Sequence, residues 1–339
     1  MRGRLLAVAG FIAASVLIGP RLVDAQDASA APTSVEPSPP PSTFRSSVDV
    51  VSVSAVVRDR KGRFVSNMDR DDFIVAEAGA ARPILDFRAQ ADGPVKVAVL
   101  FDISGSMRGP KADKAREAAR HIFRTLRPLD EAAVFAFDTR LDRVTEFTSD
   151  VAALEAALDR VEPPFGQTSM YDAIADTARV VAEAGSGGGR FPQRSAVIVL
   201  TDGIDTRSRL SSQQVSSIAS GIDVPVYIVT IMSPIDDTRD DGGPVPNGAL
   251  SNLARWTGGE VFPVSAPAHA SVAARQIVDE LRHQYVLAFE ASLAPGWRPL
   301  EVRARDSDLV VRARAGYTAG GTAGSSEQSL LQSRSGRSH

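Results

Sequence analysis

The stretch VAVLFDISGSM, from Val97 to Met107, decides the fold of this chain. The near-continuous apolar run from Val95 to Phe101 is typical of a strand in the centre of a parallel sheet, where both faces are buried. The run stops at Asp102, and Ser104 and Ser106 follow at alternate positions. One carboxylate and two hydroxyls at the end of a buried strand indicate a binding site at the edge of the sheet.

Strand and helix patterns alternate through the centre of the chain. After the first strand, we expect strands at 132–137, 143–147, 196–200, 224–231 and 260–264. Apolar residues at helical spacing predict helices at 110–126, 151–161, 170–183, 211–220, 250–256 and 272–282. This alternation predicts an α/β fold, in which a doubly wound, mostly parallel sheet is covered by helices on both faces.

The segments on either side carry short β patterns instead. We expect strands at 48–57, 73–76 and 83–87 before the α/β region, and at 285–289, 300–304 and 309–313 after it. Neither set of three strands is sufficient to bury both faces of a sheet. We therefore predict one small antiparallel β-sandwich, built from residues 47–92 and 284–318, with the α/β domain of residues 93–283 inserted in it. The alternative is that the flanks extend or cover the central sheet.

The first 25 residues have the pattern of a secretory signal peptide. Arg2 and Arg4 precede an apolar run that is shorter than the roughly 20 residues of a membrane span, and Val23-Asp24-Ala25 is a small-x-small cleavage sequence. We therefore expect an exported protein without a stable membrane span. The chain contains no cysteine, which favours a periplasmic, cell-surface or secreted bacterial protein over a disulfide-stapled one.

Two further segments have biased compositions. Residues 26–46 are rich in proline, serine and alanine and are predicted to form an extended linker, and residues 319–339 are predicted to be a disordered tail. The chain has 38 Lys and Arg against 41 Asp and Glu. Because this balance is mildly acidic and no basic stripe is present, we expect no nucleic-acid partner.

Three segments are expected to meet at the carboxyl edge of the sheet. They are the Asp102-x-Ser104-x-Ser106 stretch, Thr168 before a helix, and Asp202 after a strand. Together they offer two carboxylates and three hydroxyls, which are the oxygen ligands preferred by a hard divalent cation such as Mg²⁺ or Mn²⁺. Taken singly, the aspartates have an ordinary explanation as turn residues, and the hydroxyls have one as helix caps.

The arrangement resembles the metal-ion-dependent adhesion site of von Willebrand factor A domains. The residues that carry the resemblance are Asp102, Ser104, Ser106, Gly166, Thr168, Tyr171-Asp172-Ala173 and Thr201-Asp202-Gly203. The flanks are similar to those of a bacterial "VWFA-related", acidobacterial-type group, which extends the likeness to residues 47–318.

This resemblance implies a role for each residue of the site. The hydroxyls of Ser104, Ser106 and Thr168 would contact the metal, while Asp102 and Asp202 would act mostly through water or as hydrogen-bond acceptors. The ion would be Mg²⁺ or Mn²⁺, with Ca²⁺ as a further option. A site with mainly neutral donors leaves the cation under-neutralised, so a Glu or Asp carboxylate of a partner protein would complete its coordination.

Enzyme signatures are not found in the sequence. It has no G-x-S-x-G, H-E-x-x-H or Walker A motif, and its four histidines are scattered. We therefore predict a binding or adhesion module and not an enzyme. Two alternatives stay open, namely a scaffold whose ion only organises the loops and, less favoured, a metal-dependent hydrolase. The acidic loop at 236–242 is interpreted as a solvated loop rather than a Ca²⁺ site.

Overall fold

Three separate sheets account for the strands of the computed structural model, which describes residues 50–89, 93–161, 166–185, 193–221, 223–232, 248–292 and 294–319. All of these residues belong to one compact unit, 47–339. The predicted signal peptide, linker and acidic loop lie outside the described residues, as does the predicted tail apart from residue 319.

The strands, in chain order, are β1 (Val50–Arg58), β2 (Phe73–Glu77), β3 (Ala80–Arg82), β4 (Ile84–Ala89), β5 (Val95–Asp102), β6 (Glu131–Phe137), β7 (Leu141–Arg143), β8 (Arg194–Thr201), β9 (Val226–Ile231), β10 (Val261–Val264), β11 (Gln284–Glu290), β12 (Gly296–Ala304), β13 (Val310–Ala313) and β14 (Gly316–Ala319). The α-helices are α1 (Pro110–Thr125), α2 (Val151–Arg160), α3 (Met170–Gly185), α4 (Ser212–Gly221), α5 (Gly248–Thr257) and α6 (Pro267–Arg282). Among the described residues, no helix has the length and apolar character needed to cross a membrane.

The central sheet has six strands in the order β10-β9-β8-β5-β6-β7. All neighbours are parallel except β7, which pairs with β6 in antiparallel fashion. Helices α1, α2 and α6 pack on one face, and α3, α4 and α5 pack on the other. The predicted doubly wound α/β fold is confirmed.

The apolar sequence of β5 from Val97 to Phe101 follows from its central position. Val97, Val99 and Phe101 belong to the core beneath α1, α2 and α6, whereas Ala98 and Leu100 belong to the core on the opposite face. Successive side chains of a strand point to opposite faces. Since helices cover both faces of this sheet, the five positions from Val97 to Phe101 all have to be apolar.

The flanking strands form two four-stranded antiparallel sheets, in the orders β13-β1-β11-β4 and β14-β12-β2-β3. Their facing side chains share one hydrophobic core. Phe73 of one sheet lies 5.1 Å, between ring centroids, from Tyr285 of the other, and Phe289 and Tyr317 make a similar contact at 6.1 Å. The flanks therefore form a sandwich of their own, as predicted, rather than an extension of the central sheet.

Several predicted elements differ in detail. The strand expected at 143–147 is wrong, because β7 covers only residues 141–143. The amide groups of Val144 and Thr145 both donate to the carbonyl of Val134, which interrupts a regular ladder. The short strands β3 and β14 were not expected, and β14 includes residue 319 of the predicted tail. Helix α6 begins five residues earlier than expected, with Pro267 in its first turn, a position that proline favours.

A buried ion-pair network joins the sandwich to the α/β unit. Glu280 of α6 is fully buried and accepts hydrogen bonds from Arg58 of β1, at 2.5 Å, and from Arg312 of β13. Arg312 also bonds to Glu260, which directly precedes β10. Because a buried carboxylate is tolerated only when it is paired and hydrogen-bonded, these contacts hold α6 against both β1 and β13.

We expect the substitution Glu280→Gln to lower the free energy of unfolding by about 2 kcal/mol, since it leaves the partly buried Arg58 without its carboxylate and Arg312 with Glu260 alone. Urea unfolding monitored by circular dichroism measures this change. The matched control is Glu301→Gln on β12, whose side chain is 61% exposed and pairs with Arg303 at 3.4 Å. The control should change the free energy by less than about 0.5 kcal/mol. Equal stability of the two variants would contradict a structural role for the network.

Candidate metal site

The predicted site residues lie where two neighbouring parallel strands end. In the register of β5 and β8, Phe101 pairs with Leu200, so Asp102 and Thr201 stand side by side at the carboxyl edge. The helix that follows β5 packs on one face of the sheet, and the helix that follows β8 packs on the other. Such a switch point opens a crevice beyond the strand ends, which is where ligands of open α/β sheets bind.

Asp102 is completely buried and is held by its neighbours. Its Oδ1 accepts a hydrogen bond from the backbone N–H of Ser104 at 2.9 Å, and its Oδ2 accepts one from the hydroxyl of Thr201 at 2.6 Å. The first bond is the turn contact that aspartate makes two residues ahead of itself. The second connects the ends of β5 and β8, so the carboxylate fixes the two loops relative to each other.

The two serines share a hydrogen bond instead of capping a helix. Ser104 is buried and Ser106 is exposed, and their Oγ atoms lie 3.1 Å apart. Ser104 precedes a short 3₁₀ turn, Gly105–Met107, without capping it through its side chain, and α1 has Gly109 at its N-cap position. The capping explanation is therefore wrong for both serines. Their hydroxyl oxygens lie side by side instead.

Thr168 is fixed by the loop that follows β8. Its backbone N–H donates to the hydroxyl of Thr206 at 3.0 Å, and its carbonyl accepts from the backbone N–H groups of Thr206, at 3.1 Å, and Arg207, at 2.8 Å. Its own Oγ1 is buried and has no hydrogen-bond partner among the described residues. A buried hydroxyl without a partner is unfavourable, so Thr168 does not serve as a helix cap and its oxygen is available to a ligand.

The same loop also satisfies the start of α3. The carboxylate of Asp205 accepts from the backbone N–H of Met170 at 2.8 Å, and Asp172 accepts from those of Arg209 and Leu210 at 2.9–3.2 Å. On the other side, the N–H of Gly105 donates to the carbonyl of residue 166 at 3.1 Å. The three predicted segments are therefore brought together by hydrogen bonds between their loops.

Asp202 has one oxygen paired and one unpaired. Its side chain is 3% exposed; Oδ2 accepts from the ammonium of Lys111 on α1 at 3.0 Å, while Oδ1 has no hydrogen-bond partner among the described residues. Gly203, which follows it, has a φ of +87°, a conformation that favours glycine. The predicted turn at Asp202-Gly203 is therefore present, but it does not involve a hydrogen bond to Asp202 Oδ1.

Burial dominates the electrostatics of the site. It raises the pKa of Asp102 to about 6, above the ordinary value of 3.8, although the hydrogen bonds from Thr201 and Ser104 lower it. The charge of Asp202 raises the pKa of Asp102 further. A carboxylate in this position is therefore stabilised in its ionised form by any cation placed beside it.

The arrangement fits a hard cation. Within the described part of the chain, Thr168 Oγ1 and Asp202 Oδ1 lack hydrogen-bond partners, and the remaining candidate donors are hydroxyls and a carboxylate, all of them oxygen. The part of the chain that the structure describes holds no cluster of three or more His, Cys, Asp or Glu side chains. A metal in this region would therefore depend on hydroxyl donors at the predicted residues.

Sequence reasoning did not identify every residue that builds the site. It did not anticipate Lys111, because a lysine at the start of a helix carries no signal of a contact with Asp202, 91 positions away. It also missed the segment 205–208, whose Asp, Thr and Ser residues give an ordinary loop composition. The signal that was available is their proximity in sequence to Asp202, which places them at the same edge.

Comparison with known proteins gives a family for the central region. Residues 97–204 match the family model of the von Willebrand factor type A domain. This span includes all five predicted metal residues. No curated protein sequence matches the chain.

Solved structures resemble the chain at low identity. A von Willebrand factor type A protein from Catenulispora acidiphila is 16% identical, with 82% of this chain and 76% of that chain covered and a TM-score of 0.45. An aerotolerance-related membrane protein from Bacteroides fragilis is 21% identical, with 55% and 98% covered and a TM-score of 0.43. The manganese-loaded TRAP protein of Plasmodium vivax is 14% identical, with 73% and 99% covered and a TM-score of 0.42.

The family match confirms the resemblance that the motif residues indicated, whereas the closer likeness of the flanks to a "VWFA-related" group stays a prediction. Residues 97–204 of this chain are similar to the von Willebrand factor type A domain.

Proposed function

We propose that Asp102, Ser104, Ser106, Thr168 and Asp202 bind one Mg²⁺ or Mn²⁺ ion, and that the protein uses this ion to bind a carboxylate of another protein. The observation that carries the proposal is a pair of buried oxygens, Thr168 Oγ1 and Asp202 Oδ1, that have no hydrogen-bond partner among the described residues. Buried polar atoms are almost always satisfied in folded proteins. One cation would satisfy both oxygens at once. A water molecule would stabilise the carboxylate oxygen less, because it carries no net charge.

The charges around the site explain why a carboxylate would be its ligand. Three of the five donors are neutral hydroxyls, and Lys111 already offsets part of the charge of Asp202. A divalent ion would therefore keep a net positive charge, and an acidic side chain from outside would neutralise it. When bound, the ion would supply a Lewis-acidic centre, and the hydroxyls and carboxylates of the five residues would hold it in place.

The N-terminal sequence supports an extracytoplasmic location for this activity, in the periplasm, at the cell surface or as a secreted protein. A scaffold role, in which the ion only orders the loops, is the second candidate. The buried position of Asp102 favours metal-dependent stability in both cases. Partner binding that depends on the metal separates the two functions.

The substitution Thr168→Val tests the site. It removes the unpaired hydroxyl and keeps the shape of the side chain, so we expect Mg²⁺ affinity to fall about tenfold or more while stability in EDTA is unchanged or higher. Isothermal titration calorimetry and thermal unfolding measure the two effects. The matched control is Thr177→Val in α3, because Thr177 is also buried with a hydroxyl that has no partner among the described residues.

Partner capture completes this test. Wild type and Thr177→Val should retain a protein from envelope extract in Mg²⁺ and release it in EDTA, and Thr168→Val should fail to retain it. Metal-dependent stability without metal-dependent capture would favour the scaffold. Wild-type protein that takes up neither Mg²⁺ nor Mn²⁺ would contradict the proposal.

Lys111 is expected to weaken metal binding, because its ammonium lies beside Asp202 and repels a divalent ion. The substitution Lys111→Gln should therefore tighten Mg²⁺ binding by about fivefold at low salt, and less at high salt. The control is Lys114→Gln, one turn along the same helix, where the ammonium donates to the carbonyl of Met232 at 2.8 Å. Weaker Mg²⁺ binding by Lys111→Gln would show that the lysine supports the site.

The raised pKa of Asp102 predicts a pH dependence of the metal-free protein. A folded-state pKa of about 6 against an ordinary 3.8 means that the folded state binds the proton more tightly. The associated stabilisation is present below pH 4 and is lost as the pH rises through 6, by up to about 3 kcal/mol. In EDTA, Asp102→Asn should therefore be more stable than wild type at pH 7.5, and this advantage should vanish near pH 4. If the free energies of unfolding of wild type and Asp102→Asn, measured in urea, changed with pH in parallel, Asp102 would not be the source of the pH dependence.

A further inference from the structure

We infer that the acidic group bound at the metal is one of several on the partner, because three exposed arginines border the site and are placed to bind additional carboxylates. We name Arg140, Arg207 and Arg209 the arginine rim. The inference rests on the proposed function and specifies the class of partner, an acidic polypeptide segment rather than an isolated Glu or Asp.

Two members of the arginine rim lie on the loop that follows β8. The backbone N–H of Arg207 donates to the carbonyl of Thr168 at 2.8 Å, and that of Arg209 donates to the carboxylate of Asp172 at 3.1–3.2 Å. These bonds tie the main chain of both arginines to the loop that carries a proposed metal ligand. Their side chains therefore start from fixed positions beside the metal site.

The third member lies on the hairpin between β6 and β7. The N–H of Arg140 donates to the side chain of Asp138 at 2.8 Å, and the carbonyl of Asp138 accepts from Ser169, the neighbour of Thr168, at 2.7 Å. The hairpin tip is thus fastened to the opposite side of the Thr168 loop. The three arginines approach the site from two separate loops.

The carboxylates of these loops are committed to the protein's own groups. Asp138 accepts from the N–H of Arg140, Asp172 from the N–H groups of Arg209 and Leu210, and Asp205 from Met170 and the hydroxyl of Ser208. The three carboxylates equal the three arginines of the rim in number. By position they balance them only in part, because Asp172 lies 3.4 Å from the Nε of Arg209, whereas Asp138 and Asp205 accept from main-chain N–H groups and a hydroxyl instead of from a rim guanidinium.

The side chains of one arginine–aspartate pair differ strongly in exposure. The side chain of Arg209 is 92% exposed, and that of Asp172, its nearest acid at 3.4 Å, is 17% exposed. Arg140 and Arg207 are also exposed, and Arg207 bonds through Nε to the neutral amide of Gln167. On a chain with a net charge of −3, these three exposed side chains therefore present positive charge at the described part of this edge.

The depth of the site favours a polypeptide over other polyanions. Ser104 and Thr168 are 1% exposed, so a ligand would have to extend a narrow acidic group towards them. A Glu or Asp side chain has that reach, and neighbouring acids of the same segment would then meet the rim. Three arginines would neutralise few phosphates of a duplex, and affinity for nucleic acid depends on many such contacts.

The test compares two fluorescein-labelled ten-residue peptides, one with five Glu alternating with Gly and one with four of those Glu replaced by Gln. In Mg²⁺ and low salt, wild type should bind the five-Glu peptide about tenfold more tightly than the one-Glu peptide, as measured by fluorescence anisotropy. The triple variant Arg140→Gln, Arg207→Gln, Arg209→Gln should lose this preference. The matched control changes three exposed arginines of the sandwich, Arg63, Arg70 and Arg303, to Gln.

The possible results distinguish failure of the arginine rim from failure of the metal site. Calorimetry with Mg²⁺ alone reports on the metal site, and the rim variant should take up Mg²⁺ at least as well as wild type. If wild type takes up no Mg²⁺ the proposed function fails, whereas a five-Glu preference retained by the rim variant overturns the inference. Tighter binding of wild type to duplex DNA or to phosphatidylglycerol vesicles than to the five-Glu peptide would also overturn it, since it would assign the rim to phosphate.

Discussion

A carboxylate at the end of a strand that is buried on both faces is the feature on which the rest of the site depends. Asp102 has no exposed surface, and the groups that bond to its oxygens are a backbone N–H and a hydroxyl, both neutral. Transfer of an ionised group from water into such a position is unfavourable without a compensating charge. The burial that raises the pKa of Asp102 is therefore the same property that makes a cation beside it favourable.

In the loops around this carboxylate, some polar groups hold the main chain in place and others are available to a ligand. Thr206, Asp205 and Ser208 hydrogen-bond to the main chain at the start of α3 and hold the loop in place. Thr168 is held by these contacts and keeps its own hydroxyl unused. A site built in this way has its donors positioned before the ligand arrives, so ordering them on binding costs little entropy.

The sequence predicted the parts of this arrangement that depend on local pattern. The apolar β5 strand, the polar residues at its end and the alternation with helices were sufficient for the fold class, because burial on both faces requires such a pattern. Contacts between distant loops have no local pattern. The pair of Lys111 with Asp202 and the bonds of residues 205–208 to α3 depend on how the loops pack. The strand predicted at 143–147 failed for the same reason, since the irregular bonding to Val134 is decided by the neighbouring strand.

The path of the chain between the sandwich and the central sheet sets the direction in which the site faces. In the sandwich, β4 and β11 are antiparallel neighbours, with Ala89 paired to Tyr285, so the chain leaves for β5 and returns from α6 at adjacent points. Val95, at the amino end of β5, and Arg282, at the end of α6, both lie close in sequence to this junction, whereas Asp102 ends β5 at the other edge of the central sheet. An eight-residue strand spans about 25 Å. Within the described residues, the sandwich is therefore attached at the edge opposite the site and away from the arginine rim.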